Sequence, residues 1–144
     1  MNKFKSKNWN NVELDFYWFY GKGEFLQPDG NNIIVDEFTV RPIDKGIQGT
    51  YTFQVLENDN EAKILSQTRD EGNGVKGMNI CEAMLPELHR YYKKNIISSS
   101  KSAPVIPEES RVKKMTAVYE QLEKTGLVKY DNIRDIFVYP NHVS

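Results

Sequence analysis

RDEGNGVKGMNICEAMLPELHRYY, Arg69 to Tyr92, joins two kinds of sequence without a break. Its first part carries glycine at 72, 74 and 77. Its second part places Cys81, Met84, Leu85, Leu88 and Tyr92 at the three- and four-residue steps of one helical face. A glycine-rich turn that opens a helix leaves backbone N–H groups unpaired at the end where the helix dipole favours an anion. The stretch therefore reads as a phosphate or pyrophosphate cradle. Its plainer reading is a surface turn before an ordinary amphipathic helix. In either case a helix is expected near 77–94.

Strand signals precede this helix. Val12 to Tyr20 (VELDFYWFY) reads as a strand or a short first helix, its weak alternation favouring the strand, and turn chemistry follows at Gly21/Gly23 and at Pro28-Asp29-Gly30. Three further runs, 33–41, 50–56 and 62–68, alternate clearly. In the second, Tyr51, Phe53 and Val55 face one way and Thr50, Thr52 and Gln54 the other. The polar turn Glu57-Asn58-Asp59-Asn60 predicts an antiparallel meander. Beyond the helix, 96–100 reads as a short strand that starts buried and finishes polar. A second helix is expected over 107–125, with Pro107 and two acids at its start and Gly126 as its cap. Two short strands, 127–130 and 136–139, close the chain around Asp131-Asn132. Residues 1–11, polar and rich in Asn and Lys, read as a flexible end.

The 144 residues suit one domain, 1–144. Its order is α+β (mixed α/β). A net charge of −1 offers no basic field for nucleic acid. No apolar run approaches membrane-spanning length, and the first residues lack the apolar core of a secretory signal. The single cysteine, Cys81, lies on the apolar helix face. It reads as a small buried hydrophobe in a reduced, cytoplasmic protein. His89 and His142 are far apart, and no Cys/His/Asp spacing suggests a metal site.

Over roughly Ile33 to Tyr139 the chain resembles the GNAT family of N-acyltransferases, as a divergent member. The segment Arg69-Asp70-Glu71-Gly72-Asn73-Gly74 spells that family's Q/R-x-x-G-x-G/A loop. A second register, Gly74-Val75-Lys76-Gly77-Met78-Asn79, fits the family's helix length better. Ala117-Val118-Tyr119-Glu120-Gln121-Leu122-Glu123-Lys124-Thr125-Gly126-Leu127 is similar to a later helix of the family, and FVYP to its closing strand.

The resemblance implies a central, mostly antiparallel sheet flanked by helices, and an acetyl-CoA-dependent transfer to an unknown amine, small-molecule or protein. A homodimer is compatible with it. Arg69, Gly72, Gly74, Val75, Lys76, Gly77, Met78, Asn79 and Ile80 would then hold acetyl-CoA, with backbone amides on its pyrophosphate and Lys76 as an added charge. Tyr119 would be the general acid for the departing thiolate. Each of these two roles has a structural counterpart, and Tyr119 reads equally as a core tyrosine. Glu37, Asp36 and Glu57 are candidate bases, or solvated carboxylates at strand edges. Asp70 and Glu71 set negative charge where a pyrophosphate would lie. A catalytically inactive, GNAT-shaped binding or inhibitor protein is therefore the alternative.

Overall fold

A computed structural model describes residues 2–8, 10–26, 30–69, 78–99 and 113–140. Eight strands and two helices appear among them. In chain order they are β1 (Asn2–Lys7), β2 (Glu13–Leu26), β3 (Asn32–Pro42), β4 (Tyr51–Glu57), β5 (Glu61–Arg69), α1 (Ile80–Tyr92), β6 (Asn95–Ile97), α2 (Lys113–Lys124), β7 (Lys129–Asp131) and β8 (Ile136–Tyr139). All eight strands share one sheet in the order β1-β2-β3-β4-β5-β6-β8-β7. Its first five strands pair antiparallel with their neighbours, and β6 then joins β5 in parallel through α1.

The expected meander is present. Phe38 opposes Phe53, and Tyr51 opposes Val40, so the inward residues of 33–41 and 50–56 meet on one face. Its hairpin turns on Asn58, whose Oδ1 accepts the N–H groups of Asn60 and Glu61 at 2.8 and 2.9 Å. Helix α1 lays Ile80, Cys81, Met84, Leu85, Leu88 and Tyr92 on that face. Tyr119 and Leu122 of α2 join the same core. Helix α2 ends as its glycine predicts. Gly126, at φ +84°, donates to the Glu123 carbonyl, and Leu127 donates to that of Leu122, the paired bonds of a glycine-terminated helix.

The expectation of a GNAT-like sheet flanked by helices is overturned. The described residues form one large mixed sheet with only two helices, not a helix-flanked α+β arrangement of that type. The excess of strand comes from the N-terminal third. Residues 2–7 are not a flexible end: they form β1 and pair with Glu13–Trp18 over six residues. Polar asparagines close that hairpin, with the Asn8 side chain accepting the N–H groups of Asn10 and Val12. Likewise Gly21 and Gly23 make no turn. Strand β2 runs through both glycines and pairs with β3 from Phe16 to Leu26.

Smaller differences follow the same logic. The strand expected over 96–100 pairs only at Asn95–Ile97, and Ser98 and Ser99 are buried beyond it rather than solvated. Helix α1 begins at Ile80, after Asn79 in the left-handed region at φ 57°. Pro107, Glu108 and Glu109 lie outside the described residues. The last turn spans 132–135, which moves the expected 127–130 strand to Lys129–Asp131.

Candidate functional site

Strands β5 and β6 pair over Glu61–Lys63 and Asn95–Ile97, and the described residues after β6 continue only to Ser99. Two serines tie that end to its neighbours. The Ser99 hydroxyl donates to the Ile64 carbonyl at 2.8 Å, and the Ser98 hydroxyl accepts the Phe137 N–H at 2.9 Å. A bulge between Gln54 and Val55 on the β4–β5 ladder shifts the register of β5, so that Ser66 opposes Gln54 and Gln67 opposes Phe53. Gln67 thereby points to the α1 side of the sheet.

There it meets three polar groups. Its Oε1 accepts the Tyr51 hydroxyl, and its Nε2 donates to the Tyr119 hydroxyl, both at 2.8 Å. Cys81 hydrogen-bonds to Gln67 and Tyr119. The Tyr119 ring stacks on Phe137 with centroids 5.3 Å apart and only 3% of the residue exposed. Burial first, and then the neighbouring Cys81 and Tyr51, push the Tyr119 phenol well above its ordinary value. It stays protonated at neutral pH. Burial likewise pushes the Cys81 thiol up to about 12, so it is no thiolate nucleophile.

At the other end of α1, its first turn is tied to β1. The Asn79 amide donates to the Lys7 carbonyl at 2.6 Å, and the Ser6 hydroxyl donates to the Met78 carbonyl. Beside this turn lies an open cleft of about 320 Å³ lined by Lys5, Lys7, Asn79, Glu82 and Ala83 among others. Both lysines form ion pairs with Glu13, and Lys5 also with Asp15.

The expected site residues separate into three groups. Gly72, Gly74, Val75, Lys76 and Gly77 lie outside the described residues. Arg69 ends β5 with its side chain exposed, opposite Tyr51. Met78 and Ile80 are core residues whose side chains are buried, while Asn79 between them is exposed. Tyr119 sits on the α1 side of the sheet with Gln67, so the structure brings Tyr119 near the β5 end but engages its hydroxyl fully.

The candidate bases differ sharply from one another. The Asp36 carboxylate accepts Lys22 Nζ at 2.6 Å, the Tyr92 hydroxyl at 2.6 Å and the Tyr20 hydroxyl at 2.8 Å. Burial opposes its ionisation, yet these donors outweigh that cost and hold the acid below its ordinary value. Glu57 pairs with Lys94 at 2.6 Å. Among the described residues Glu37 has only the Gln54 amide, at 3.1 Å. No group of three or more metal-binding side chains occurs among the described residues.

No protein-family model, curated protein or solved structure matches this chain. Its chemistry must therefore be read from the residues themselves. Sequence reasoning passed over Gln67, Ser66, Lys5 and Lys7. The lysines carried a usable signal, since Lys3, Lys5 and Lys7 alternate as on a protected edge strand. Gln67 and Ser66 carried none, because their facing depends on the bulge.

Proposed function

We propose that this protein is an N-acyltransferase that moves an acetyl group from acetyl-CoA to an amine, in a reduced cytoplasmic setting, and is a divergent relative of the GNAT enzymes. The observation behind this reading is the polar group at the end of β5. A parallel strand pair, β5 and β6, is joined through α1, the glycine segment lies in the sequence between β5 and α1, and a protonated phenol stands against Gln67 of β5. Crevices at the carboxyl ends of parallel strands are where open sheets accept ligands.

In this reaction the neutral amine forms a C–N bond at the thioester carbonyl carbon as the C–S bond breaks. The departing sulfur takes the Tyr119 proton, and the proton released by the amine restores the phenol through solvent. Tyr119 already hydrogen-bonds one sulfur, that of Cys81, so its surroundings suit such an acceptor.

A second reading rests on a specific observation. The Tyr119 hydroxyl is buried and engaged by Gln67 and Cys81, as in a purely structural tyrosine. The protein would then be a non-catalytic binding or inhibitor protein. Titration with acetyl-CoA and an assay for free thiol released with a panel of amines separate the two. Tyr119→Phe should slow turnover by roughly two to four orders of magnitude, the reach of a positioned acid. Its stability should change by no more than about 1 kcal/mol, one hydrogen bond's net worth. Wild-type protein that neither binds nor turns over acetyl-CoA establishes the second reading instead.

A further inference from the structure

The sheet ends unevenly at its first edge. Strand β1 follows β2 only as far as Asn2 opposite Trp18, whereas β2 continues to Leu26. Over residues 19–26 β2 pairs with β3 on one side, and on the other no described strand accompanies it. The hairpin to β3 closes at the Leu26–Asn32 pair. The described residues that flank 70–77 lie at the end of β5 and at the first turn of α1 beside Lys7, at the opposite end of β2. Those that flank 100–112 are Ser99, bonded to Ile64 of β5, and α2, on the far side of β3 and β4.

A strand edge with unpaired N–H and C=O groups is a template for another strand, and proteins ordinarily guard such edges. The other edge strands of this sheet are guarded. Lys3, Lys5 and Lys7 alternate along β1, and β7 is three residues long. Residues 19–26 of β2 contain no proline and no register shift against β3, and Lys22 is drawn onto Asp36 at 2.6 Å. Gly21 is open, with nothing within 4 Å of where its Cβ would be.

The side chains of this stretch are complementary to themselves. Tyr20, Lys22, Glu24 and Leu26 alternate onto the α1 side of the sheet, where Tyr20 meets Phe38 and Lys22 meets Asp36. Tyr20 is 40% exposed and Leu26 57%. A second copy laid antiparallel about a two-fold axis through Gly23 sets Lys22 of each copy against Glu24 of the other, and Tyr20 against Leu26. Gly23 then faces itself, and Phe25 faces the open Gly21. A slip of one residue would set opposite faces of the two sheets together. A slip of two would set Lys22 against Lys22 or Glu24 against Glu24, which like charges oppose. Charge thus selects one register among its neighbours.

We propose that residues 19–26 of β2 pair with the same stretch of a second copy of this chain, giving a two-fold dimer with one continuous sheet. Pairing satisfies the open backbone groups and covers Tyr20 and Leu26. Such a dimer does not depend on acyl transfer, since β5 with Gln67 lies three strands away.

Sedimentation equilibrium of the full chain tests the dimer. Wild-type protein should form, reversibly with concentration, a particle of twice the 16.7 kDa chain mass. Lys22→Glu and Glu24→Lys each bring like charges together at both symmetry-related pairs, and each alone should weaken the dimer roughly tenfold. An equimolar mixture of the two variants restores opposite charges at both pairs and should recover most of the lost affinity. Leu26→Lys changes an exposed side chain, and should weaken the dimer similarly while the circular dichroism of the dilute monomer stays the same. It carries the test of this edge if Lys22→Glu, set beside Asp36, does not fold. Wild-type protein that stays monomeric at millimolar concentration overturns the dimer. A dimer that none of the three variants weakens overturns the assignment to this edge. A mixture no tighter than either of its components overturns the register.

Discussion

Asp36 and Glu37 are adjacent on one strand and face opposite sides of the sheet, and the two sides follow different rules. On the side of α1, a continuous core runs from Phe16 through Phe38, Phe53 and Met84 to Phe137. Polar groups there are mutually satisfied, as Asp36 is by Lys22, Tyr20 and Tyr92, and Gln67 is by Tyr51 and Tyr119. On the other side, Phe25, Val35 and Leu65 form a small separate cluster that no described helix residue joins. There Phe19 is exposed, and Glu37 has no cation among the described residues. Folding energy is concentrated on the α1 face, and the other face holds only this smaller cluster.

Truncation of a core aromatic is the most severe test of this contrast. Phe38 is fully buried and touches Trp18, Tyr20, Tyr91 and Tyr92 edge-on. Phe38→Ala should cost about 3–5 kcal/mol. Ile34→Ala, at a side chain 60% exposed four residues earlier on the same face of the strand, should change stability by about 0.5 kcal/mol or less. Denaturant melts of the two variants compare them directly. Equal losses would remove the distinction between core and surface on β3.

The Asp36 cluster should contribute less, and its share should depend on pH. Its carboxylate is 12% exposed beside a solvent-facing lysine, so Asp36→Asn should cost about 1–2 kcal/mol at neutral pH after allowance for screening. The folded acid has a lowered value, so the folded state favours the ionised form. This stabilisation is complete above the unfolded carboxyl's value of about 3.9 and drains away as pH falls below it towards the folded value. The gap between wild type and variant, followed in urea melts, should therefore close under acid. A gap that holds constant down to low pH would show that geometry, not charge, is what Asp36 supplies.

Glu37→Gln should have the smallest effect on stability. The isosteric amide can keep one hydrogen bond to Gln54 and removes a charge that no described cation pairs with, so the melting free energy should move by about 0.5 kcal/mol or less. A loss as large as that of Asp36→Asn would make Glu37 a structural acid and erase the difference between the two faces.

Much of the architecture was legible in the residues. Alternation located 33–41, 50–56 and 62–68, and helical spacing located α1, because both patterns record a single buried face and need no knowledge of what covers it. Gly126 announced the end of α2 through a backbone geometry that glycine adopts most easily. Tyr119 was legible as an apolar-stripe residue, and its burial agrees with that. Strand β1 was not legible, since in NKFKSK only Phe4 is apolar and the alternation is carried by lysines.

Local sequence thus determined which segments are strands or helices wherever one face is apolar over several residues. Tertiary structure alone decided the rest. Gly21 and Gly23 carry every local mark of a turn, yet eleven paired residues of β3 hold them in a strand, where their missing side chains make room for Glu37. The bulge that turns Gln67 towards Tyr119, and the parallel pairing of β5 with β6, depend on pairings between residues distant in the chain. Such pairings are set by the sum of contacts across the whole sheet, and no short window of sequence contains that sum.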